Sequence, residues 1–156
     1  MSRKSYIIGL LAVAVIGVTV FFYRTEPIPL FLGERAGFGG VSLRIEYATT
    51  TEDRERGLGG RTEIQENYGM LFIFAKDDKY GFWMKDMLVP IDIFWLDSDQ
   101  HVVSIISDIA TSTYPNVFYP TEPARYVLET AAGFAREHAI KIGSKLMLKN
   151  PESVSQ

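Results

Sequence analysis

The chain has 156 residues, of which 47% are hydrophobic and 22% charged, the proportions of a folded protein and not of a disordered or collagen-like one. Sixteen Lys and Arg against nineteen Asp and Glu leave a net charge of −3, so no basic surface points to nucleic acid. Cysteine is absent, which excludes disulfides, thiol catalysis, cysteine-ligated zinc and iron–sulfur clusters together.

Residues 1–5 form a short basic segment containing Arg3 and Lys4, followed at residues 6–23 by the uncharged run YIIGLLAVAVIGVTVFFY. As a helix this run reaches about 27 Å, close to the ~30 Å hydrocarbon core of a bilayer. Tyr6 at one end and Phe21, Phe22 and Tyr23 at the other suit an interfacial belt. A cleaved secretory signal wants small residues at its cleavage site, whereas residues 18–23 are bulky, and a lipoprotein signal needs a cysteine. The pattern therefore predicts an uncleaved single-pass membrane anchor, with secretion after cleavage as the alternative. Basic groups favour the N-terminal flank, which predicts an extracytoplasmic C-terminal domain. Residues 24–40, with two prolines and four glycines, read as a tether. The body is residues 41–149, and residues 150–156 are expected to be a disordered tail.

Val41-Ser42-Leu43-Arg44-Ile45-Glu46-Tyr47 alternates apolar and polar residues, predicting a half-buried strand. Thr49-Thr50-Thr51-Glu52 predicts a capping box with Thr49 as N-cap, opening a short helix that runs through Arg56 and stops at Gly57. Residues 70–74, apolar on both faces, predict a central strand. Strands at 80–85, 91–96 and 102–106 follow, and the tight spacing predicts antiparallel neighbours. After an irregular loop over 114–123, residues 124–129 predict another strand, Thr130 caps a helix through His138, and residues 145–148 supply a last strand. Strand and helix do not alternate, so the predicted class is α+β: a mostly antiparallel sheet rolled toward a small barrel, with two short helices, preceded by one N-terminal transmembrane helix.

Within residues 80–86 side chains alternate faces, setting Tyr80, Phe82, Met84 and Asp86 against Trp83 and Lys85. A tryptophan ring can stack on a flat or sugar-like ligand while the neighbouring ammonium holds an anion. The plainer account is that Trp83 is core and Lys85 extends to water. Asp92 shares a face with Phe94 and Leu96, and Glu129 a face with Val127, so each carboxyl must be paired, hydrogen-bonded or protonated. Arg54, Arg61 and Lys85 are the available counter-charges. Two carboxyls with a lysine could perform acid–base work, and structural ion pairs leave the same trace. His101 and His138 lack metal-ligand spacing, and Asp97-Ser98-Asp99 lacks the glycine and closing glutamate of a calcium loop. No nucleotide-binding or serine-hydrolase motif is present. Neither a metal nor a cofactor is expected.

Taken in order, Arg54-Glu55-Arg56-Gly57-Leu58, Arg61, Gly69-Met70-Leu71-Phe72, Phe82-Trp83-Met84-Lys85, Val89-Pro90-Ile91-Asp92-Ile93 and Tyr126-Val127-Leu128-Glu129 resemble the family called domain of unknown function 192. The resemblance covers residues 41–148 and implies a compact β-rich domain, often secreted or membrane-anchored in prokaryotes, with no established activity to carry over. Gly59 stands where that family usually has methionine, Asp86-Met87 where it has Asn-Thr, and Ser144 where it has aspartate.

These readings favour a membrane-tethered binding module. Its face of Trp83 and Lys85, with Arg54, Arg61, Asp92, Tyr126 and Glu129, would recognise a small polar ligand or envelope glycan. The alternatives are a scaffold of the cell envelope and a hydrolase using Asp92 and Glu129 as acid and base, which requires both carboxyls in one open cleft. Oligomeric state is not legible.

Overall fold

The structure, a computed structural model, describes residues 34–148. The expected anchor at 6–23 and the tail at 150–156 lie outside the described residues. Period-two alternation builds most of the architecture. The elements are β1 (Glu34–Phe38), β2 (Val41–Ala48), α1 (Thr51–Arg56), β3 (Tyr68–Asp78), β4 (Phe82–Trp83), β5 (Ile91–Leu96), β6 (Val102–Ile109), β7 (Val117–Phe118), β8 (Ala124–Ala131), α2 (Phe134–Glu137) and β9 (Met147–Leu148). Among the described residues no helix is long and apolar enough to cross a membrane.

Seven strands form one sheet in the order β6-β5-β8-β3-β2-β1-β9, and β4 and β7 form a separate two-stranded arm. The class is α+β with a curled sheet, as expected. All neighbours in the larger sheet are antiparallel except β2 and β3, which run parallel. The sheet curls because its two ends approach one another. His101, just before β6, bridges Lys145, just before β9. Val102 N donates to Ser144 O at 2.9 Å, and Leu146 N to Gln100 O at 3.0 Å. Ser144 Oγ accepts from the Lys141 amide at 3.0 Å, the turn-closing bond that an aspartate carboxyl would also make.

Several local expectations are corrected. The stretch expected as a tether contains β1, because Ala36 and Phe38 are fully buried and draw it into the sheet. The strands expected over residues 70–106 are not all sequential neighbours: β3 lies between β2 and β8, β4 pairs with β7, and of this run β5 and β6 form a hairpin. The α1 N-cap is Thr50, not Thr49. Its hydroxyl accepts from the Asp53 amide at 3.0 Å, which puts Asp53 at the third helical position. Thr130 caps no helix. It remains in β8 opposite Asp92, and α2 is a single turn beginning after Gly133.

Alternation splits the apolar residues into two cores, one on each face of the sheet. Phe38, Leu43, Ile45, Leu71, Phe94 and Leu128 pack on one face, which Leu146 and Phe134 help to enclose. Met70, Phe72, Ile91, Ile93, Trp95 and Val127 pack on the other. This second face is covered by Leu58 from the crossover after α1 and by Phe82, Met84 and Met87 from the arm and its exit. Fully burying each such side chain contributes roughly 1.5–3 kcal/mol before entropy is counted.

Candidate functional site

The parallel pairing of β2 and β3 forces the chain between them out of the sheet plane, and α1 lies on this crossover. Asp53 Oδ1 and Arg56 Nη2 lie 2.6 Å apart and tie the helix to itself. Arg54 Nη1 donates to Thr49 O at 2.8 Å and to Ile73 O at 3.4 Å, and the guanidinium lies over the Phe74 ring at 5.9 Å. The helix ends at Gly57, whose φ of 51° and ψ of −133° suit glycine alone. A Cβ on Gly57 would stand 3.3 Å from Glu129 Oε2 and 3.5 Å from Phe72 Cζ. The next turn is pinned to the arm exit by Gly60 N donating to Asp86 O at 2.8 Å. Gly59, in the methionine position of the resembled family, leaves no room for a side chain: a Cβ there would meet Arg56 O at 2.8 Å.

The arm faces α1. Trp95 Nε1 donates to Tyr80 O at 2.9 Å, anchoring the arm to β5. Phe74 and Tyr80 stack with ring centroids 3.5 Å apart, and Phe82 meets Phe72 edge-on at 4.8 Å. Gly81 admits Tyr119, because a Cβ there would come within 2.7 Å of its ring. As alternation requires, Met84 is buried while Trp83 (44% exposed) and Lys85 turn outward.

Between crossover and arm lies a cleft of about 350 Å³, within the range of small-molecule sites. Phe72, Phe74, Tyr80, Phe82, Trp83 and Tyr119 supply aromatic walls, while Arg54, Arg56, Lys85 and Glu55 supply the charges. Lys85 and Arg54 form no ion pair among the described residues, and Asp86 does not line the cleft beside Lys85.

Glu129 lines the same cleft and is 4% exposed. In register it stands between Met70 of β3 and Ile93 of β5, both buried on its face. Its Oε2 is buried and has no hydrogen-bond partner among the described residues. Desolvation pushes its pKa up to about 8, against the opposing pull of the Leu58 amide and the Arg61 charge, so the carboxyl is mostly protonated at pH 7.

Of the residues expected at the site, Arg54, Trp83, Lys85 and Glu129 therefore come together. Arg61 stands close enough to act on Glu129 electrostatically but does not line the cleft. Its guanidinium is engaged by Glu46 at 2.9 and 3.0 Å and by Tyr68 Oη at 2.8 Å. Tyr126 packs against the core of the opposite face. Asp92 is the main correction. It is fully buried on that opposite face, where Oδ1 accepts from Asp108 N at 2.7 Å and Gly133 N at 3.2 Å, and Oδ2 from Ala135 N at 2.8 Å. Three amide donors make Asp92 a tie between β6 and α2. Asp92 and Glu129 project to opposite sides of the sheet, so they cannot serve as acid and base in one cleft. Sequence reasoning missed the walls formed by Phe72, Phe74 and Tyr119. The density of aromatic residues at Tyr114, Phe118 and Tyr119 in a loop was the available signal.

The comparisons with known proteins agree with this architecture. A model of the family DUF192, described as "Uncharacterized ACR", matches residues 35–148. A UPF0127 protein of Thermococcus gammatolerans (strain DSM 15229 / JCM 11827 / EJ3) is 32% identical over 101 residues, 64% of this chain. The chain spans 62% of that relative's length. Among solved structures, a protein of unknown function from Novosphingobium aromaticivorans DSM 12444 is 30% identical with a TM-score of 0.65, over 72% of this chain and 81% of that one. A Sinorhizobium meliloti 1021 protein, provisionally named a transcription regulator, is 28% identical with a TM-score of 0.69, over 74% of this chain and 92% of that one. The chain belongs to the DUF192 family, whose members are described as uncharacterised.

Proposed function

We propose that the domain is a small-ligand binding module whose site is the cleft between the crossover and the arm. The observation that carries this reading is the Glu129 carboxyl, buried in the cleft wall with Oε2 unpartnered. A buried polar atom without a partner costs roughly 1–3 kcal/mol, a cost a ligand can offset. Exposed Trp83 supplies a stacking surface beside it, and Lys85 a charge without an ion pair among the described residues. A pure scaffold has no need of such a cleft. The net charge of −3 gives no electrostatic reason to transfer the regulator name of the Sinorhizobium protein to this chain.

The module is held at the cell membrane by residues 6–23, with the domain on the extracytoplasmic side. The uncharged aromatic-ended run and the basic Arg3 and Lys4 before it support this placement. Protease treatment of intact cells should digest the domain; protection until lysis would reverse the orientation.

The binding reading is tested with the full-length chain by thermal shift against a panel of small sugars, aromatic acids and nucleosides. Trp83→Ala should abolish any shift and Lys85→Ala should weaken that of anionic ligands, each while moving stability by less than about 0.5 kcal/mol, as expected of exposed positions. Large losses of stability without any ligand found would favour the scaffold.

A further inference from the structure

We propose that the ligand of this cleft is a small organic acid, an apolar or aromatic ring bearing a carboxylate, with one carboxylate oxygen accepting a hydrogen bond from the Glu129 carboxyl. This inference rests on the reading of the cleft as a binding site and narrows it to one chemistry.

Three observations converge. The first is the donor. A protonated carboxyl carries one O–H and several lone pairs. The Leu58 amide already donates to the Glu129 carboxyl, and Oε2 has no partner among the described residues, so an O–H carried on Oε2 is free to donate. An acceptor in the cleft would complete it. An ionised oxygen is the strongest kind, because O–H···O⁻ bonds are short and about twice as strong as neutral ones.

The second is charge. Arg54, Arg56 and Lys85 face the opening against the single carboxylate of Glu55. Arg56 is held by Asp53, but Arg54 donates to two backbone carbonyls, and neither Arg54 nor Lys85 has an ion pair among the described residues. A sugar hydroxyl would satisfy Glu129 and leave these cations uncompensated, whereas a carboxylate satisfies both.

The third is shape. Gly57 sets no side chain against Oε2 or Phe72, where a Cβ would already stand 3.3 Å from Oε2 and 3.5 Å from Phe72 Cζ. The surrounding walls are aromatic, and a volume of about 350 Å³ admits one ring with its substituent. The ring lies on Trp83 while the acid end points toward Gly57 and Glu129.

The test uses the full-length chain in mild detergent, with benzoate, benzamide, phenyl phosphate and N-acetylglucosamine each at roughly 10 mM, enough to load a site of ~1 mM Kd. Benzoate should raise the melting midpoint and bind about tenfold tighter than benzamide, a difference of about 1.4 kcal/mol. Lys85→Ala should weaken benzoate about tenfold while leaving benzamide unchanged, as loss of one charge contact requires. Glu129→Gln, which keeps a donor in place of the O–H, should retain benzoate binding, and Glu129→Leu should lose it. Equal binding of benzamide or N-acetylglucosamine, or preference for phenyl phosphate, would overturn the carboxylate and leave the binding cleft standing. No shift with any of the four probes would overturn both readings.

Discussion

At the scale of single residues, Glu129 and Asp92 illustrate two ways of keeping a carboxyl inside a protein. Asp92 is surrounded by three amide donors, whereas Glu129 sits between Met70 and Ile93 and keeps its proton. The Glu129 pKa rises from 4.5 to about 8 on folding, so between those values the folded state holds the proton more tightly than the unfolded chain. The associated stability is complete below pH 4.5 and is lost as pH rises through about 8. Glu129→Gln removes that dependence. Urea denaturation should find the variant and the parent similar at pH 4 and the variant more stable at pH 9, by a few kcal/mol at roughly 1.4 per pKa unit. A parent whose stability does not change over that range would contradict the assignment. Asp92→Ala should cost about 3 kcal/mol or more, since it strands two buried amide donors and a third that is partly buried. A loss below 1 kcal/mol would show that water replaces the carboxyl. Sequence pattern alone exposed both residues as polar groups on apolar faces. It did not separate their roles, because the side of the sheet each faces depends on the β5–β8 register, where Asp92 is opposite Thr130 and Glu129 opposite Ile93.

Among the elements, the turn after α1 controls the cleft. Gly57 combines a positive φ with close approach to Glu129, so Gly57→Ala meets strain of about 1–3 kcal/mol from the backbone before any contact is counted. Thr50→Ala should cost about 1 kcal/mol by freeing the Asp53 amide. Chemical denaturation of the two variants should therefore rank Gly57→Ala as the more damaging, and the reverse order would reduce Gly57 to an ordinary helix end. The strands β2, β3, β5, β6 and β8 were legible because each carries its own alternation or apolar run. Their spatial order was not, since pairing β3 with β8 is a long-range choice that no local pattern encodes. β1 escaped notice because five residues framed by glycines look like a linker until Ala36 and Phe38 find their core. The α1 cap shifted by one residue because three consecutive threonines offer the same chemistry, and only the Asp53 amide selects among them.

For the whole molecule, the sheet carries a core on each face, and the cleft opens on the face that holds Glu129. Leu146 is fully buried in the enclosed core next to the seam that joins the sheet's ends, so Leu146→Ala should cost about 2–5 kcal/mol, far more than Trp83→Ala on the cleft rim. Equal costs would mean that the rim tryptophan is structural. The parallel pairing of β2 with β3 has a longer reach. Residues 49–67 cross from one strand to the next without contributing a rung to the ladder, apart from the Asn67 carbonyl that receives the Arg44 amide. Exchanges at the exposed positions of this span touch no rung of the strand pairing and can reshape the mouth of the cleft. If the cleft is the binding site proposed above, changes confined to this one loop would alter its guest, and relatives that share these strands need not share its appetite.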